Sequence, residues 1–97
     1  MRVIAKRTLR EFWEKHSDAQ SALEEWYLKA ERANWQNPND IISNISNARY
    51  LGDNKFSSKI KGNQYRLIVK ANFAYQVVYI RFIGTHDGYD KIDVTKL

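Results

Sequence analysis

The chain has 97 residues, 43% hydrophobic and 28% charged, with 16 basic against 11 acidic side chains; this length admits one domain, residues 1–97, and this composition excludes a disordered chain. No run approaches the ~20 apolar residues of a membrane span, so no membrane partner is expected, and the segment Met1–Arg7 lacks the apolar stretch of a secretory signal. The absence of cysteine excludes disulfides, thiolate metal sites and cysteine nucleophiles, and fits a cytoplasmic location.

Met1 to Ala5, β-branched at Val3 and Ile4, predicts a first or edge strand. From Lys6 to His16 the stripe Leu9, Phe12, Trp13, His16 follows the spacing of one helix face. Ser17 and Asp18 are good N-cap residues for a second helix, whose apolar stripe is Ala19, Ala22, Leu23, Trp26, Tyr27 and Ala30. A short turn between two such helices implies an antiparallel pair. Pro38 with its Asn and Asp neighbours marks a turn, and Asp40 is expected to cap a short helical stretch through Ile45. Ser43 to Asn54 reads as a loop anchored by Ala48, Tyr50 and Leu51, ending in the turn Gly52-Asp53-Asn54. Lys55–Lys61, Gln64–Asn72 and Gln76–Ile83 are rich in Val, Ile, Tyr and Phe and predict three antiparallel strands, the first two joined by Gly62-Asn63. The expected class is α+β: a small sandwich with an N-terminal strand and two antiparallel helices packed on one face of an antiparallel sheet.

The charge is unevenly distributed. Residues 58–97 carry 7 basic and 3 acidic side chains, and no acid occurs between Asp53 and Asp87. A basic half without acids suits a polyanion, nucleic acid before a membrane surface. With Gly62-Asn63 as the turn, Ile60 faces Tyr65, Lys59 faces Arg66 and Lys61 faces Gln64. Alternation then puts Lys59, Lys61, Gln64, Arg66, Ile68 and Lys70 on one face, and Phe56, Ile60, Tyr65, Leu67 and Val69 on the helix side. If Phe73 pairs with Gln76, Arg66 faces Ile83, Ile68 faces Arg81, and Arg81 joins the basic face. Like charges directly opposite, as in Lys59 and Arg66, destabilise by roughly 0.2–1 kcal/mol. Such a face is either solvated or an anion site.

After the last strand, Gly84-Thr85-His86-Asp87-Gly88-Tyr89-Asp90-Lys91 gathers an imidazole, a phenol and two carboxylates. A histidine at a strand end is as a rule only a surface group. Asp87 equally reads as a helix cap, Tyr89 as a core aromatic and Asp90 as an ion-pair partner that either orients His86 or, as expected here, ties down the C-terminal segment. Asp87, Asp90 and Asp93, spaced by three, make a poor cation site, and neither a phosphate-binding glycine loop nor a nucleophile elbow occurs. No cofactor is expected. One reaction suits basic side chains with a histidine and no metal: RNA cleavage by its own 2′-hydroxyl. Arg and Lys stabilise the phosphorane, His moves a proton, and an aromatic ring stacks on a splayed base.

The runs Ile60-Lys61-Gly62-Asn63-Gln64-Tyr65-Arg66-Leu67, Val78-Tyr79-Ile80-Arg81-Phe82-Ile83-Gly84-Thr85-His86 and Tyr89-Asp90-Lys91-Ile92-Asp93 resemble the HigB branch of the RelE/ParE toxin superfamily. The resemblance implies a RelE-like fold and the toxin of a type II toxin–antitoxin pair, a metal-independent endoribonuclease (mRNA interferase) cutting mRNA on the ribosome and leaving a 2′,3′-cyclic phosphate and a 5′-hydroxyl. It implies as partners mRNA, the ribosome and a cognate antitoxin, expected to be a HigA-like helix-turn-helix DNA-binding protein. By position it points to Lys59, Lys61 and Arg66, to which the strand register adds Arg81, for RNA binding and transition-state charge, to His86 for general acid or base catalysis, and to Tyr89 for base stacking or hydrogen bonding. Arg66, Lys61, His86 and Tyr89 form the expected catalytic set. His86 stands where RelE has an arginine, which moves its role from charge stabilisation toward proton transfer. The superfamily also holds gyrase inhibitors without the nuclease set. A ParE-like, gyrase-directed toxin and a non-catalytic RNA- or ribosome-binding protein are therefore the rival readings.

Overall fold

Two amphipathic stripes set the helical layer. Helix α1 (Lys6–Lys15) buries Leu9 and Trp13, four residues apart, and α2 (Gln20–Arg32) buries Leu23, Trp26 and Ala30. A single 3₁₀ turn, Ser17–Ala19, joins them. The computed structural model describes residues 1–97. Asp18 does not cap α2 as expected: the α2 N-terminus has no side-chain cap, because the Asp18 carboxylate is drawn to the sheet instead. A third helix, α3 (Pro38–Asn44), starts at Pro38, with the Asn37 side chain accepting from the Asp40 N–H. Asn37 thus takes the capping role expected of Asp40, whose carboxylate accepts from the Gln36 N–H at 2.8 Å.

The strands are β1 (Arg2–Ile4), β2 (Ala48–Gly52), β3 (Lys55–Ile60), β4 (Tyr65–Asn72) and β5 (Val77–Thr85). They form one sheet in the order β1-β5-β4-β3-β2, in which β1 runs parallel to β5 and every other pair is antiparallel. The meander has a strand more than expected. The segment read as a loop supplies β2, an edge strand with Arg49 and Tyr50 exposed and a register shift between Tyr50 and Gly52. The exposed side chains and the irregularity hid the alternation that marks a strand.

The β3–β4 register is the expected one, with Ile60 opposite Tyr65, Lys59 opposite Arg66 and Ser58 opposite Leu67. It turns Phe56, Ile60, Tyr65, Leu67 and Val69 onto the helices, where they join Leu9, Trp13, Leu23, Trp26 and Val78 in one buried cluster. Burying a side chain such as Phe56, 1% exposed, contributes roughly 1.5–3 kcal/mol. The β4–β5 register is corrected in part. Asn72 to Val69 pair with Val77 to Ile80 as expected, but a bulge between Ile68 and Val69 leaves Arg81 unpaired, so Ile68 faces Phe82 and Arg66 faces Gly84. The chain leaves β5 directly into the short helix α4 (His86–Asp90), then a 3₁₀ turn at Val94–Lys96. No helix is long and apolar enough to cross a membrane.

Candidate active site

The sheet face opposite the helices carries the residues singled out from sequence, and α4 closes one end of it. Thr85 caps α4, its Oγ1 accepting from the Gly88 N–H at 3.1 Å, so Thr85 and not Asp87 fixes the helix start. The His86 N–H donates to the Gln64 carbonyl at 3.1 Å, tying α4 to the β3–β4 turn. Phe82, on β5, lies beneath this junction. A Cβ added to Gly84 would come within 2.6 Å of its ring tip, and one on Gly88 within 3.7 Å. Glycine at 84 is therefore a requirement of close approach, and the ring props α4 over the sheet.

This arrangement brings Arg66, Tyr89 and His86 to the same end. The guanidinium carbon of Arg66 sits 5.6 Å from the centre of the Tyr89 ring, in cation–π range. Arg66 Nη1 donates to the Asn63 and Tyr65 carbonyls at 3.3 and 3.5 Å, anchoring the side chain to the turn while leaving Nε and Nη2 free. His86 stands three residues before Tyr89, on the neighbouring position of the helix surface. Its Nε2 lies 3.2 Å from an Asp90 carboxylate oxygen. Asp90 therefore faces the imidazole; tying down the C-terminal segment falls to Lys55, whose buried ammonium donates to the Val94 and Thr95 carbonyls at 2.9 and 3.4 Å. Lys59, exposed and directly across from Arg66, has no ion-pair partner.

Lys61 departs from the expected set. The strand ends at Ile60, and Lys61 adopts φ +52 and Gly62 φ +64, so alternation does not extend to Lys61. Its ammonium crosses to the helix side, 2.8 Å from Asp18, which also accepts from the Tyr65 hydroxyl at 2.6 Å. Arg81 is likewise apart from the Arg66–Tyr89 pair. Its guanidinium carbon lies 5.2 Å from the Tyr79 ring, at the bulge. Two acids distant in sequence thus return to the basic half, since Asp53 holds Lys70 at 3.2 Å just as Asp18 holds Lys61. Asp87, Asp90 and Asp93 do not converge as a cation site; Asp93 instead accepts from Thr95 N–H and hydroxyl at 3.0 and 2.6 Å.

The Asp18 contact is a hinge point between layers with a testable pH signature. Hydrogen bonds from Lys61 and then Tyr65 hold the Asp18 carboxyl below its ordinary value of 3.8, and the bond donated to Asp18 holds the Tyr65 phenol above its ordinary 10.0. A carboxyl lowered by folding stabilises the fold above its unfolded value and stops doing so as the pH falls through the folded one. Asp18→Asn is expected to lower the melting temperature at neutral pH. The two melting temperatures should converge as the pH is taken well below 3.8; a gap that persists there shows that the charge of Asp18 is not what matters.

Sequence reasoning missed the support beneath the site. Phe82 and Gly84 have a signal, a large ring two residues before a glycine on the same strand face, whereas the Asp18 contact spans 43 residues and leaves none. No curated protein matches the chain. Residues 19–92 match the family model described as HigB toxin, RelE-like toxic component of a toxin–antitoxin system. With a match across most of its length and an α+β sandwich that agrees with a RelE-like fold, the chain belongs to the HigB toxin family, the toxic components that face an antitoxin.

Proposed function

We propose that the chain, acting as one toxin domain over residues 1–97, is a metal-independent endoribonuclease that cuts mRNA on the ribosome. The observation that carries this reading is the meeting of Arg66, Tyr89 and His86 at one end of an acid-poor sheet face, with Lys59 across the strand pair. In the reaction the 2′-hydroxyl loses its proton and its oxygen attacks the adjacent phosphorus. The bond to the 5′-oxygen then breaks and that oxygen takes a proton, leaving a 2′,3′-cyclic phosphate and a 5′-hydroxyl. Arg66 presents planar paired donors to the phosphorane oxygens, which a point charge does less well. Lys59 adds charge beside it. His86, with its ring held against Asp90, performs a proton transfer, and Tyr89 stacks on a base splayed from the strand. Lys61, committed to Asp18, supports the β3–β4 turn rather than touching the phosphate. Arg81 meets the RNA away from the cleaved bond. The reading also takes the cytoplasm as the location and a HigA-like helix-turn-helix protein as the antitoxin.

Mapping 5′ ends of mRNA after induction tests the reading. New internal ends that appear with the chain and vanish with Arg66→Ala are expected. Stalled translation without new ends favours a non-catalytic RNA or ribosome binder, and intact mRNA with DNA damage favours a gyrase-directed toxin.

A further inference from the structure

The far end of the same sheet face holds a second aromatic and cationic site. On β4, Lys70 lies four residues beyond Arg66, roughly 13 Å at strand rise. Its partner across the strands is Tyr79. The bulge leaves Arg81 unpaired in the ladder, its guanidinium 5.2 Å from the Tyr79 ring centre. Tyr79 and Arg81 line a cavity of about 370 Å³ together with Asn54, Lys70, Asn72 and Phe73. The volume lies within the range of small-molecule sites. Asp53 pairs with Lys70 at 3.2 Å and with Lys55 at 3.9 Å, whereas Arg81 has no ion-pair partner. The Asn72 Oδ1 accepts from the Tyr75 N–H at 3.0 Å, which leaves the Asn72 amide nitrogen as a donor.

We infer that this cavity is a second nucleotide subsite, in which Tyr79 stacks on a base of the bound RNA away from the cleaved bond and Arg81 holds an adjoining phosphate. The inference rests on the ribonuclease reading above. A free planar cation, an aromatic face and a free amide donor are the set that single-stranded nucleic acid uses without sequence preference. The site also shares its sheet face with Arg66, Tyr79 and Arg66 both pointing away from the helices by strand alternation.

The test is fluorescence anisotropy with a labelled 2′-O-methyl RNA octamer, which lacks the attacking hydroxyl and stays intact, and with the matching 2′-O-methyl dinucleotide. Tyr79→Ala should weaken octamer binding roughly tenfold or more and leave the dinucleotide unchanged, because a dinucleotide with its one phosphate at Arg66 has no base for the second site. Tyr79→Phe, which keeps the ring, should bind as the wild type does. Arg81→Gln should weaken the octamer and flatten its salt dependence. An octamer affinity unchanged in Tyr79→Ala and Arg81→Gln, but lost in Arg66→Ala, overturns the subsite and leaves the ribonuclease reading standing. A wild type that binds neither probe overturns both. Variants that keep octamer affinity yet lose growth arrest also overturn the subsite and reassign the surface to a protein partner.

Discussion

Arg66→Ala and His86→Ala are each expected to leave a folded chain that no longer arrests growth on induction. Neither side chain is buried: Arg66 touches backbone carbonyls and the Tyr89 ring, and His86 touches Asp90, so the fold loses little with either. The chemistry loses much. Removing one pre-positioned donor to developing negative charge costs about 10²–10³-fold in rate, and removing a proton-transfer group costs about 10²–10⁴-fold. If both act on one phosphorane, as proposed, the double variant should fall little below the worse single one. Arg66→Lys should restore only part of the rate, since an ammonium does not hold two oxygens in one plane. Asp90→Asn should cost less, as expected of a group that positions the imidazole rather than touching the substrate. Single-turnover cleavage of ribosome-bound mRNA measures all of these. Full toxicity in both alanine variants would remove Arg66 and His86 from the active site.

Gly84→Ala should disable the chain from beneath the site. The added methyl meets the Phe82 ring tip at 2.6 Å, which no real Cβ tolerates, so the ring must move. Phe82 also lies within 3.7 Å of a Cβ position on Gly88, and its displacement shifts α4 with His86 and Tyr89. Overpacking of this kind costs about 1–3 kcal/mol, which for a domain of this size lowers the melting temperature by roughly 4–8 °C per kcal/mol. Misplacing catalytic groups by about 1 Å costs on the order of 10²-fold, so cleavage should fall further than stability does. Phe82→Leu in the same chain removes the ring tip and should recover much of both. Gly84→Ala with wild-type cleavage and melting temperature would show that the ring is free to move and does not hold α4.

Several of these features are legible in the sequence for definite reasons. Leu9, Trp13, Leu23, Trp26 and Ala30 announce two helices because burial of one helical face imposes its period. The Lys59–Arg66 pairing follows from Gly62, whose positive φ suits the turn expected there. Alternation fails where the backbone departs from a strand. Lys61, at φ +52, leaves the basic face for the helix side, and the bulge at Arg81 moves Arg66 from opposite Ile83 to opposite Gly84. Asn37 and Thr85 displace Asp40 and Asp87 as caps because capping is decided by a side chain's reach to a particular N–H, which neighbouring Asx and Thr residues compete to supply.

By itself the sequence determined the helical pair, the core face of the sheet, the β3–β4 register and the concentration of cations on the second face, all through local periodicity and turn chemistry. Only the tertiary structure decided which cations stay free. Asp18 and Asp53 lie far along the chain from the lysines they take, and a contact between distant residues has no local pattern to betray it. Folding thereby leaves Lys59, Arg66 and Arg81 without an ion-pair partner on a face that alternation alone fills with five basic side chains, and places Tyr89 beside Arg66 at one end, with His86 on the same short helix.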